Sequence, residues 1–176
     1  MRSIEVAVLF AFISAASIYL AFYVDMLAQG ALDREVASLA KSTQDLIAAQ
    51  LRDVLTAASY TYVRNFTYML YVPTQFPTLD AFTYTAVLYV GPDKLLYVNV
   101  SFTGYRGSGV SSFNTSTAVG NVTSLAQTGG VRLYLDNPVS QSPECETPHG
   151  ANLTRVGCAV TLTGARQYYK LLVLKR

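Results

Sequence analysis

The sequence predicts an α+β chain: one long N-terminal α-helix, about residues 2–58, carrying a C-terminal antiparallel β-sheet or sandwich-like head. Three observations support this. No proline occurs before Pro73, and Gly30 is the only glycine before Tyr60. Apolar residues from Leu32 to Ala58 recur in steps of three and four, the spacing of one helical face. After Ser59 the pattern changes to alternation among β-branched and aromatic residues, the period of half-buried strands.

The helix has two parts of different character. Val6 to Val24 is nineteen residues without a charge, enough to cross a hydrocarbon core of about 30 Å. Residues 1–24 therefore read as a membrane-spanning or filament-core segment. Three identities fit it: a cleaved secretory signal, a signal anchor, or the buried spine of a polymer. Residues 25–58 read as an amphipathic spine. Its stripe is Leu32, Val36, Leu39, Thr43, Leu46, Ile47, Leu51, Val54 and Ala58, with Asp33, Lys41, Asp45, Arg52 and Asp53 mainly off it. Interspersed alanines favour helix and permit close approach of neighbours.

Residues 59–176 form the head. Tyr60 to Val72 reads either as last helical turns or as a first strand, and Pro73 to Pro77 as a loop. Phe82–Val90 and Leu95–Thr103 read as a hairpin joined by Gly91-Pro92-Asp93-Lys94, whose residues favour a turn. Leu96, Val98, Val100 and Phe102 face one way along the second strand, with Tyr97, Asn99 and Ser101 opposite. Gly104 to Gly130, rich in Gly, Ser, Thr and Asn, reads as mostly loop. Val131–Leu135, Val156–Thr163 and Gln167–Lys175 are strand-like, which makes about five strands in one sheet against the helix stripe.

Composition narrows the function classes. The chain has 176 residues, 51% hydrophobic and 14% charged, with 13 Tyr, 8 Phe and no Trp. It is too aromatic and β-branched for disorder. A net charge of +2 with scattered basic residues gives no basic patch, so no nucleic-acid partner is expected. The sequence offers no catalytic constellation, phosphate loop or metal-ligand spacing. No catalytic residue, no metal and no cofactor are expected, and His149 is assigned no chemistry.

Two further features place the head outside the cytoplasm. Five of the six asparagines lie in N-x-S/T, namely Asn65, Asn99, Asn114, Asn121 and Asn152. They read as N-glycosylation acceptors, against the alternative that Thr-rich strands generate the motif incidentally. Cys145 and Cys158 read as a disulfide or as two unrelated buried thiols. The membrane segment and the sequons favour the disulfide.

Met1-Arg2-Ser3-Ile4-Glu5, followed by an uncharged helix, resembles the mature N-terminus of a type IV pilin, and archaeal adhesion pilins are the most similar. The specific match covers about twenty-five residues, and the helix-plus-head layout extends it loosely. The resemblance implies that Met1 is the processed first residue and that Glu5 serves assembly. It implies a homopolymer in which the subunit is held in the membrane beforehand, with a prepilin peptidase and pilus assembly machinery as partners. Adhesion is the role implied. Glu5 also has a physical rationale: a carboxylate at an apolar helix end is costly in lipid unless partnered, and a neighbour's α-amine or Arg2 supplies a partner. Phe12, Tyr19 and Tyr23 form an aromatic stripe suited to packing between helices. With neither Gly nor Pro before Gln29, the helix is expected to be continuous there. The expectation is therefore an extracellular filament subunit with helices bundled inside and heads outside. The alternative is a membrane-anchored binding ectodomain or a minor component of a secretion or archaellum-type machine.

Overall fold

The computed structural model describes residues 2–60, 62–122, 130–136, 140–141 and 143–175. It has the α+β layout that the patterning predicts. Helix α1 runs unbroken over Arg2–Ser59, and Gly30 does not interrupt it. Among the described residues ten strands follow: β1 (Phe66–Tyr71), β2 (Ala81–Val90), β3 (Leu95–Arg106), β4 (Gly109–Asn121), β5 (Arg132–Asp136), β6 (Ser140–Gln141), β7 (Glu146–Thr147), β8 (Gly150–Asn152), β9 (Ala159–Thr163) and β10 (Tyr168–Leu174). They form two five-stranded sheets, ordered β1-β10-β5-β8-β7 and β4-β3-β2-β9-β6. All neighbouring pairs are antiparallel.

This corrects the expectation of a single sheet of about five strands. It also corrects the reading of Gly104 to Gly130 as mostly loop, because β3 continues to Arg106 and β4 occupies thirteen residues of that stretch. Residues 123–129 lie outside the described residues. The ambiguous stretch before Pro73 resolves as strand β1.

The inner side of the second sheet is as the alternation predicts, with Leu96, Val98, Val100 and Phe102 buried. Phe102 joins an aromatic group with Phe76, Phe82 and Tyr84, whose ring centroids lie 4.7–6.3 Å apart. Such spacing suits edge-to-face and offset contacts. The Tyr84 hydroxyl donates to the Pro73 carbonyl, and burial raises its pKa above the ordinary tyrosine range.

Helix α1 packs chiefly on β4 and β3, with a smaller contact on β1. Three glycines let it approach. A Cβ at Gly104 would lie 2.7 Å from Val36 Cγ2, at Gly109 3.1 Å from Leu32 Cδ2, and at Gly120 3.2 Å from Leu55 Cδ1. The helix and β4 therefore run side by side in the same direction. The lengths agree: eleven strand steps from Gly109 to Gly120 span about 37 Å, and twenty-three helical steps from Leu32 to Leu55 span about 35 Å.

The stripe is buried at Leu32, Val36, Thr43, Ile47, Leu51, Val54 and Ala58. Leu39 is only half-buried, and Leu46 is corrected to the outer side at 37% exposure. Gln44 takes the inner place at 3% exposure. Its Nε2 donates to the Val98 carbonyl at 3.0 Å, and its Oε1 accepts the Thr115 hydroxyl at 2.9 Å. A buried polar side chain is tolerated when its bonds are made. Gln50 performs a related task at the edge strand β1. Its Oε1 accepts Tyr71 N–H at 2.7 Å, and its Nε2 donates to the Tyr71 carbonyl at 2.9 Å.

The sheet margin away from the helix is closed covalently. After β6 the chain leaves the second sheet, makes a 3-10 turn over Pro143–Cys145 and enters the first sheet as β7. Cys145 is disulfide-bonded to Cys158, which immediately precedes β9, with a Cα–Cα distance of 4.9 Å. The bond thus ties the β7 margin of one sheet to the β9 strand of the other. Closing a ring of this size stabilises by about 3 kcal/mol in the chain-entropy model.

Candidate functional site

Of the residues marked for assembly, Glu5, Phe12, Tyr19 and Tyr23 lie on the free part of α1. From Ile4 to Ala28 every residue of the helix is exposed. Fifteen large apolar side chains between Ile4 and Leu27 are 48–75% exposed. Glu5 is exposed at the N-terminal edge of this rod, and Met1 lies outside the described residues. Phe12, Tyr19 and Tyr23 are 73%, 74% and 48% exposed. Offsets of seven and four residues keep them within one sector of the helix. The expected stripe is therefore present as a surface, and the described residues of the head leave it uncovered.

The free part ends at a polar collar that the sequence reading did not single out. Gln29 Nε2 donates to Asp33 Oδ1 at 3.1 Å and to the Val110 carbonyl at 2.9 Å. One turn further, Arg106 Nη2 lies 2.6 Å from Glu35 Oε2, and the same guanidinium donates to the Thr78 carbonyl. A hydrogen bond from Thr78, and then the Arg106 guanidinium, hold the Glu35 carboxyl below the usual carboxylate range. Asp80 Oδ2 accepts Gly107 N–H at 2.7 Å, and Gly107 sits at a left-handed φ of 54°, a conformation glycine adopts at little cost. The β3–β4 turn is thus fastened to the point where the helix leaves the head. The ion pair joins residues 71 positions apart, so no local spacing could have announced it.

The five sequon asparagines are all on the head, but not on one patch. Asn65, Asn114 and Asn121 are exposed, while Asn99 and Asn152 are half-buried. Asn99 falls on the outer side of β3, as the alternation predicts, between Val87 of β2 and Ser116 of β4. At the hairpin turn, a hydrogen bond from Tyr97 holds the Asp93 carboxyl low, and the same contact raises the Tyr97 phenol. His149 is exposed and meets Tyr134 edge-on at 5.8 Å.

Among the described residues no group of three or more His, Cys, Asp or Glu is placed to hold a metal ion. What the geometry offers is an apolar rod long enough to cross a membrane, fastened at one end to a disulfide-closed β head. No family model, curated protein or solved structure matches this chain.

Proposed function

We propose that this chain is the structural subunit of an extracellular pilus-like filament, with the free halves of α1 bundled in its core and the β heads outside. The observation that carries the proposal is the uncovered rod from Ile4 to Leu27. Leaving fifteen large apolar side chains in water costs on the order of tens of kcal/mol. A bundle of identical helices removes that surface from water, and each chain brings the same rod to the bundle. Before assembly a lipid bilayer covers the same segment. The Glu5 carboxylate, at the apolar edge, finds a cationic partner on a neighbouring helix during assembly and so favours polymer over dispersed chains.

The length of the rod also favours a second reading, a membrane-anchored ectodomain whose head binds a partner. Electron microscopy of surface material together with membrane fractionation separates the two. Wild-type protein is expected in filaments, and Glu5→Ala is expected to stay in the membrane fraction without forming them. Wild-type protein that never forms filaments, or a Glu5→Ala chain that polymerises as well as wild type, overturns the filament reading.

A further inference from the structure

Among the described residues the four sheet edges are closed to different degrees. Strands β6 and β7 are two residues each, too short to template another strand. Strand β1 is held at Tyr71 by the Gln50 carboxamide. Strand β4 is different. It is an edge strand of thirteen residues, Gly109–Asn121, and carries neither a charge nor a proline, two devices that commonly keep edges from pairing.

Alternation decides which main-chain groups of β4 are open. In an antiparallel ladder both groups of one residue face one neighbouring strand, and those of the next residue face the other way. The β3–β4 register is unbroken from the Tyr97–Ala118 pair to the Arg106–Gly109 pair. The Val110 carbonyl accepts Gln29 Nε2 at 2.9 Å, and the Ala118 carbonyl accepts Arg52 Nη2 at 3.4 Å, both from the helix. Even-numbered residues of this stretch therefore turn their groups away from β3. Between the two fastened carbonyls lie Ser112, Asn114 and Ser116, all exposed. Their N–H and C=O groups have no partner among the described residues. Three donors and three acceptors thus line an open lane, bracketed by helix side chains at residues about 27 Å apart along the strand.

We propose that residues 112–116 of β4 take an extended segment of another protein as an added antiparallel strand. Donors and acceptors repeating at every second residue are complemented by another extended main chain, which supplies the same repeat in return. The side chains beside the lane set the character of the segment. Ser112, Asn114 and Ser116 lie on one side of β4, and Phe113, 41% exposed, lies on the other. The segment that fits is uncharged, with an apolar or β-branched residue beside Phe113 and small polar residues beside the other three. A second copy's β4 does not suit the lane. Helix α1 and β4 run in the same direction, so antiparallel pairing of two β4 strands would send their rods opposite ways. Rods that share one bilayer or one bundle run together, and the choice of occupant rests on that part of the filament reading.

Amide hydrogen exchange of the full chain in detergent, read by NMR, tests this with a blocked hexapeptide of alternating threonine and valine. Exchange at Ser112, Asn114 and Ser116 is expected to slow by at least about tenfold at saturating peptide. The same peptide N-methylated at two adjacent central residues lacks a donor on either edge and is expected to give no slowing. Ser112→Pro removes one outward N–H and no bond to β3, a position that an edge strand tolerates. It is expected to melt near wild type and to bind the hexapeptide about tenfold more weakly. The two peptides decide the matter even if that variant fails to fold. No slowing at millimolar peptide, or equal slowing by the methylated peptide, overturns the proposal. Protection of the same amides in peptide-free dimers, seen by sedimentation, assigns the lane to a second copy and overturns it too. A chain that takes no peptide yet forms filaments sinks this inference and leaves the filament reading standing. A chain that does neither sinks both.

Discussion

The two halves of α1 are one continuous helix under opposite conditions. Between Leu32 and Ala58 the buried side is narrow and mixed, including Thr43, Gln44, Ala40 and Ala48 beside Ile47 and Leu51. Between Val6 and Val24 the helix carries no charge on any side and nothing in the described head covers it. The half with the weaker hydrophobic pattern is the one that folds against its own chain. The stronger apolar pattern thus lies on the segment that the described head leaves uncovered.

The sharpest way to break this contrast is one truncation in each half. Leu51→Ala removes a fully buried side chain and is expected to destabilise the head by about 2–5 kcal/mol, read as a lower thermal midpoint in detergent. Phe12→Ala in the free half is expected to leave that midpoint unchanged and to reduce filament yield. Equal loss of midpoint in both chains would mean that the free half packs on the head after all.

A smaller effect compares glycines. Gly104→Ala places a Cβ 2.7 Å from Val36 and 2.9 Å from Leu79, and overpacking of this kind costs about 1–3 kcal/mol. Gly30 has open space around its Cβ position. Gly30→Ala is therefore expected to strengthen the helix by up to about 1 kcal/mol. Denaturant titration of the two chains gives opposite signs if the junction between the halves is as described.

The smallest effect lies at the collar. Glu35 has a lowered pKa in the folded chain, so its contribution is present above the unfolded carboxylate value and is lost as pH falls through the folded value. Arg106 and Glu35 remain 44% and 25% exposed, which limits the pair to less than about 1 kcal/mol. The difference in thermal midpoint between wild type and Glu35→Gln is expected at pH 7 and should narrow as the pH falls below the unfolded carboxylate value of about 4.3. A difference that does not narrow with acid would assign the effect to packing instead of charge.

Which parts of the molecule could be read in advance follows from the same physics. The rod, the Leu95–Thr103 alternation and the cysteine pair were legible, because each depends on a local run or on chemistry with few alternatives. Strand β4 was not. Its inner side holds Ser111, Thr115 and Thr117 where it meets the helix, and Gly109 and Gly120 allow close approach where they suggested a loop. Leu46 lies outward and Gln44 inward for a related reason. A stripe in steps of three and four cannot rank adjacent positions, and the bonds of Gln44 to Val98 and Thr115 come from strands more than fifty residues away. The collar depended on a contact of similar range.

Gln50 has a consequence for what can be added to the edge of the first sheet. An edge strand offers free N–H and C=O groups to any passing strand, and sheets grow or aggregate through them. At Tyr71 both groups are already taken by one side-chain amide projecting from the helix. A strand arriving there would have to displace that amide before making its first bond. The helix that carries Gln50 thus shuts this end of β1 against strand addition.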